Sequence, residues 1–252
     1  MVSKFINIIS FRTAAELRSE ATRTYAGYLW WILEPLMSLA VYYVAFKYIF
    51  HRETENFAIF LFSGIIIYRF FAGTVTRSAT SISDNQGLMQ LVYVHKTIFP
   101  LSVLMVNLVK FVVTALLVVI VVWLSGIAPS WPYLALPVLI ILEMLFIAGA
   151  SMICAAITPF FPDFKLILET LMHLLIFLSG VFYDVSELSP RMQSIIRLNP
   201  IAALIEQFRA IILHGQWPVL RPLGFALLES VIFIFIGWIL IHRFNRYFPK
   251  LS

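Results

Sequence analysis

The chain has 252 residues, of which 61% are apolar and 12% charged, with a net charge of +5 and a mean hydropathy of +0.93. Soluble domains carry roughly 25% charged residues, so the composition excludes a soluble protein and indicates an all-α integral membrane protein. The positive charge sits in short segments beside apolar runs, where it sets orientation and argues against nucleic acid as a partner.

Residues 1–22 mix Phe5, Ile6, Ile9 and Leu17 with Lys4, Arg12, Glu16 and Arg18, the pattern of an amphipathic helix lying at a membrane interface. No apolar stretch there is long enough for a signal peptide. Residues 1–29 are expected to form an interfacial segment on the cytoplasmic side. Arg23 to Leu36 reads RTYAGYLWWILEPL, where Tyr25, Tyr28, Trp30 and Trp31 mark the point at which the chain enters the bilayer. Glu34 and Pro35 interrupt this start, and Pro suits the first turn of a helix, so the span is expected to begin at Pro35.

Six apolar runs follow, at about 30–50, 57–74, 101–125, 133–157, 166–183 and 223–241. Each far exceeds the roughly 10-residue alternating strands of a barrel, so six transmembrane helices are expected. With the N-terminus inside, ten Lys and Arg residues from Lys4 to Lys250 fall in inner segments. Outside there are five: Arg52, Arg191, Arg197, Arg209 and Arg221. That balance places both termini in the cytoplasm.

The loops differ in kind. HRETEN at 51–56 and GIAPSWP at 126–132 are short outer turns. The inner loop from Val75 to Pro100 is long enough for a helix beneath the membrane, with capping-type Ser81, Ser83 and Asp84 at its start. A later inner loop, TPFFPDFK at 158–165, holds two prolines. The last outer segment, 184–222, carries an apolar stripe at Ile201, Leu204, Ile205, Phe208, Ile211 and Ile212. Asn199 suits its cap, Pro200 its first position and Gly215 its end, while Glu206 and Arg209 are spaced to pair. With RMQSIIRL before it, this makes an outer re-entrant helical hairpin hinged at Asn199–Pro200.

Chemistry of the catalytic kind is sparse. Gly-Lys, Gly-x-Ser-x-Gly and His-Glu-x-x-His do not occur, the five histidines are scattered, and Cys154 is the single cysteine. Glu34, Glu143, Glu169 and Glu229 lie in apolar runs, where an unpaired carboxylate is costly. Arg69 and Lys110 are the available partners for Glu34 and Glu169; Glu143, in mid-run, has no evident one.

Arg23, Tyr25, Gly27-Tyr28-Leu29-Trp30 and Glu34-Pro35 resemble the start of the first span in permease subunits of ATP-binding-cassette polysaccharide exporters. This is the capsule, O-antigen and teichoic acid family. Asp84-Asn85-Gln86-Gly87-Leu88 resembles the inner-loop helix of those proteins. Phe160-Phe161-Pro162-Asp163, and Asn199-Pro200 with Glu206 and Arg209, fall where the family has its later inner loop and outer hairpin. Many O-antigen members have Arg-Asp where this chain has Pro162-Asp163, which leans towards the capsule branch.

The resemblance implies one permease domain over 1–252 in the bacterial inner membrane, acting as a homodimer with two copies of a separate ATPase. That ATPase would bind the ATP and Mg, so this chain needs no cofactor or metal. The implied cargo is a lipid-linked polysaccharide, with membrane lipid and periplasmic export proteins as further partners. Tyr28, Trp30, Trp31, Tyr42 and Tyr43 are then expected at the substrate channel. Ser83, Asp84, Asn85, Gln86, Gly87 and Leu88 are expected to couple to the ATPase. Arg191, Arg197, Asn199, Pro200, Glu206 and Arg209 are expected to form the outer gate. The opposing reading is a membrane-embedded enzyme acting on lipid-linked sugars.

Overall fold

Long apolar runs without strand-forming alternation fold as helices, and the chain's computed structural model contains helices and turns throughout the residues it describes, 2–23, 25–49, 56–92 and 94–248. Apart from Asn56, the outer turn expected at 51–56, with its Arg52, lies outside those residues, as do Lys250 and the side chain of Lys4.

Helix α1 spans Val2–Thr22, and after a tight turn at Gly27–Leu29 α2 runs over Trp30–Val44 and continues in a wider coil to Ile49. Helix α3 is Phe57–Ala79, α4 is Gln86–Leu91 and α5 is Ile98–Leu124. Then come α6 (Leu136–Ile157), α7 (Phe164–Leu175), α8 (Pro190–Ile196), α9 (Pro200–Ile212) and α10 (Leu220–Phe244). Five helical stretches are long and apolar enough to cross a membrane: Gly27–Tyr48, Phe57–Ala79, Ile98–Leu124, Trp131–Ile157 and Leu220–Phe244. Pro35 lies inside α2 rather than at its start, because the preceding tight turn already begins the helical path at Gly27.

The run at 166–183 departs most from a continuous span. Helix α7 stops at Leu175, and residues 176–183 turn, with Gly180 at φ +66°. A reason lies in who takes the carbonyls. The Ser179 hydroxyl donates to Leu175 O at 2.7 Å, while Arg209 of α9 donates to the carbonyls of Gly180 at 2.7 Å and Val181 at 2.8 Å. A buried guanidinium thus satisfies backbone that a longer helix would have satisfied itself.

Helix α3 is the central post, packed on α2, α5, α6, α7 and α9. Helices α6 and α10 form the closest pair, because Gly149 and Gly237 remove the side chains between them. Helix α9 is buried against α3, α6 and α10, so its apolar stripe is covered by this chain. Its N-terminus is capped as the residue pattern implies, with Asn199 Oδ1 accepting from Ile201 N at 3.0 Å. At the end of the bundle holding α1, a second core gathers Ile82, Met89, Phe99, Ala155, Ile241 and Phe248.

Candidate functional site

A cavity of about 1190 Å³ opens between α2, α3, α5 and α7. Its position follows from the fold: α2 and α7 both lean on α3, and the short α7 leaves the gap beside α2 uncovered. Apolar lining comes from Trp30, Trp31, Tyr42, Ile66, Phe70 and Phe177. Polar lining rises with it, from Glu20, Arg23, Arg77 and Lys110 near α1 to Glu34, Arg69, Ser38, Glu169 and His173 further along.

These charges are arranged in bonded steps. Arg77 Nη1 donates to Glu20 Oε1 at 2.5 Å and its Nη2 reaches Glu16 Oε1 at 2.7 Å, while Lys110 Nζ holds Glu20 Oε2 at 2.5 Å. Burial alone would raise the Glu20 carboxyl, but hydrogen bonds from Lys110 and Arg77 outweigh it and hold the group below the usual carboxylate range. One step along, Arg69 pairs with the Glu34 carboxylate and donates to Ser38 Oγ at 2.7 Å. Lys165 stands 3.9 Å from Glu169, and His173 Nδ1 donates to the Glu169 carbonyl at 2.7 Å. Glu34 thus takes the Arg69 partnership that its intramembrane cost demands. Lys110 instead serves Glu20, a residue for which position in the chain predicted no such partner.

Of the five aromatics expected at the channel, Trp30, Trp31 and Tyr42 line the cavity. Tyr28 stands behind Trp31, ring edge to face with centroids 4.8 Å apart, and the Tyr43 hydroxyl accepts from Lys47 at 2.6 Å away from the lining. Tyr68 was absent from the expected set, yet it borders the cavity and its hydroxyl donates to the Met172 carbonyl, joining α3 to α7. Its place in the apolar run 57–74 carried no sign of this.

The stretch 83–88 forms a turn at Ser83–Asn85 followed by α4, at the α1 end of the bundle. Asp84, Gly87 and Leu88 are exposed, as is Leu91, and a side chain at Gly87 would meet open space. Asn85 faces inward: it accepts from Arg12 at 2.9 Å and donates to Ser81 O at 2.8 Å. Its underside rests on Ile82 and Met89, within the cluster containing Phe248.

At the opposite end, Arg197 and Glu206 pair through two hydrogen bonds, at 3.0 and 2.6 Å, joining α8 to α9. This replaces the expected Glu206–Arg209 pairing, because Arg209 points away into the core. There it also donates to Phe60 O at 3.0 Å and lies 3.4 Å above the Phe60 ring, against Gly64. Arg191 is exposed on α8, while Pro200 opens α9 beside the capping Asn199. Glu143 is 2% exposed within α6, and its Oε1 has no hydrogen-bond partner among the described residues.

The sequence profile described as "ABC-2 type transporter" matches residues 13–213, four-fifths of the length and nearly all of the site just described. The chain belongs to the ABC-2 type transporter family. Its similarity extends to an O-antigen export system permease protein of Myxococcus xanthus, 28% identical over 221 residues covering 87% of this chain and 85% of the relative. A polysialic acid transport protein of Escherichia coli is 25% identical over 229 residues, covering 88% and 87%. A capsule polysaccharide export inner-membrane protein of Haemophilus influenzae is 27% identical over 256 aligned positions, covering 96% and 92%. These relatives fall in both the O-antigen and capsule groups, and they are named as transport proteins. As an ABC-2 type transporter component this chain is a transport subunit, which displaces the sugar-transferase reading.

Proposed function

We propose that this chain is the permease subunit of an exporter that moves a lipid-linked polysaccharide across the bacterial inner membrane, driven by ATP hydrolysis on a separate ATPase. The observation that carries the reading is the cavity. It combines tryptophan and tyrosine faces, on which sugar rings stack while free to slide, with a ladder of paired charges that keeps it wet. Names of the relatives supply the cargo class: O-antigen, polysialic acid or capsule polysaccharide.

The working unit is a homodimer bound to two ATPase copies. Leu166, Ile167, Leu171 and Leu174 of α7 are exposed, and the following backbone at 176–183 is not helical. In a bilayer, irregular backbone needs protein cover or water, which a second copy across the cavity mouth would supply. Residues 164–183 then make the sixth crossing, as a half-length helix plus a turn, and the α8–α9 hairpin is re-entrant at the outer leaflet. The α1 end, with both termini, faces the cytoplasm. There Ser83, Asp84, Gln86, Gly87 and Leu88 meet the ATPase, with Asn85 bracing them from behind.

Tyr28, Trp30, Trp31, Tyr42 and Tyr43 form the aromatic side of the path, Tyr28 and Tyr43 by supporting their neighbours. The hairpin serves as the outer gate, moving as a unit through Arg191, Arg197, Asn199, Pro200, Glu206 and Arg209, and periplasmic export proteins receive the polymer. Deleting the gene should trap polysaccharide inside the cell. A Trp30→Ala, Tyr42→Ala double variant should assemble normally yet lower surface polysaccharide several-fold. Wild-type surface polysaccharide in the deletion strain would sink the proposal.

A further inference from the structure

We propose that the exposed face of α10 seats a transmembrane helix of a separate membrane protein, one that brings a lysine or arginine to Glu229. The inference rests on reading the α7 side as the contact between two copies of this chain. Glu229 lies nine residues past Leu220, about 13 Å along α10 at the ordinary helical rise. It is partly exposed and has no ion pair or hydrogen bond among the described residues. This chain has no cation to give it. Along α10 itself, Arg221 is two turns back, and His242 and Arg243 are more than three turns on. Gly149 of α6 meets Phe233 and Ile234, while Gly237 meets Met152 and Ile153, so the two helices run parallel in a fixed register. That register sets Glu229 level with the Glu143 turn of α6, which adds a second acid and no base. On α9, also packed against α10, Arg209 is committed to three carbonyls and Glu206 to Arg197.

The surroundings of Glu229 select the occupant. Phe225, Leu228, Ile232, Phe235 and Ile239 are exposed, and their spacings of three and four make one continuous stripe beside the carboxylate. No residue of α10 lines the cavity, so the export path leaves this face free. Helix α7 packs on α3 and α10 on α6 and α9, so a second copy seated at α7 leaves it free as well. Lipid tails would cover the stripe and leave the carboxylate alone, and an intramembrane acid without a counter-charge is costly. A helix from another protein covers the stripe and supplies the missing charge together. Helices pack along such stripes in a bilayer, and a polar pair between them adds affinity and fixes the register.

The test uses the full-length chain with Cys154→Ser in dioleoyl phosphatidylcholine vesicles, with a donor dye on Val219→Cys. The probes are synthetic polyleucine transmembrane peptides carrying an acceptor dye. One has a single lysine about a third of the way along, one a glutamate there, and one leucine only. Energy transfer should show the lysine peptide associating about threefold or more tightly than the leucine peptide. Glu229→Gln should erase that preference, and Glu229→Lys should hand it to the glutamate peptide. Asp163→Asn, at an exposed acid outside α10, should leave it unchanged. Equal association of the lysine and leucine peptides overturns the proposal and leaves α10 facing lipid alone. A lysine preference that survives Glu229→Gln overturns it too. Crosslinking between copies tests the dimer reading separately: Leu171→Cys should crosslink and Leu228→Cys should not. Copy-to-copy crosslinking at Leu228 gives the face to a second copy and overturns the separate partner. No crosslink at Leu171, with the peptide preference intact, sinks the α7 contact and leaves the α10 site standing.

Discussion

At the scale of single residues, Arg209 shows how burial reverses an assignment made from spacing. Three residues after Glu206 on an amphipathic helix, it reads as a surface partner. The folded chain instead spends it on three carbonyls, those of Phe60, Gly180 and Val181. Arg209→Met keeps the bulk and strands those acceptors, each worth about 1–3 kcal/mol when left unsatisfied in a buried site. A fall in thermal unfolding temperature in detergent, far larger than for Glu206→Gln on the exposed Arg197 pair, is the expected result. Glu20 supports a second prediction. Its carboxyl is held below the ordinary glutamate value near 4.5, so its contribution is complete above that pH and is lost as pH falls through the lowered value. Hydrogen exchange should show α1 loosening in acid below pH 4.5 and unchanged near neutrality, and Glu20→Gln should remove the acid dependence.

Among whole elements, the α6–α10 pair is the tightest and the most intolerant. A Cβ on Gly149 would stand 2.6 Å from Ile234 N, and one on Gly237 would stand 3.1 Å from Gly149 O, so backbone would have to move. Gly149→Ala should cost about 1–3 kcal/mol by overpacking, measured as a lowered unfolding midpoint. Gly224→Ala on the same α10, where a Cβ meets open space, should cost nothing. The helices that could be read from residues alone are those with local punctuation. Asn199-Pro200 and Gly215 bound α9 because cap, fixed φ and left-handed glycine act within a few residues. Helix α7 could not be read that way. Leu175 to Val181 is as apolar as the helix before it, and the break depends on an arginine about thirty positions later. The cavity was half legible: Trp30, Trp31 and Tyr42 declare an interface, and Glu34 declares a missing partner. Its α1 end depends on Glu20 folding back against Arg77 and Lys110, a long-range pairing without a local signature.

For the molecule as a whole, the two ends are built differently. At the hairpin end Arg209 hydrogen-bonds α9 to α3 and to the turn after α7, whereas at the α1 end polar bridges tie α1 to α3, α5 and the turn before α4. That arrangement would suit the α1 end to the proposed role of passing on a push from a bound ATPase. With Cys154→Ser removing the native thiol, a cysteine at Gln86 should crosslink to the ATPase, while one at Ser194 on α8 should not. Equal crosslinking at both would refute α4 as the docking element.

The cluster under α4 also has a consequence for how the transporter is made. Ile82 and Met89 emerge early in synthesis, yet the cluster they join with Phe99 and Ala155 is completed only by Ile241 of α10 and Phe248 just beyond it. Until the last span is inserted, α4 lacks part of its floor, so with α4 as the proposed docking element a nascent or truncated chain would offer the ATPase a weaker hold. The order of translation would then work as an inspection step, favouring a permease whose final helix is already in the membrane.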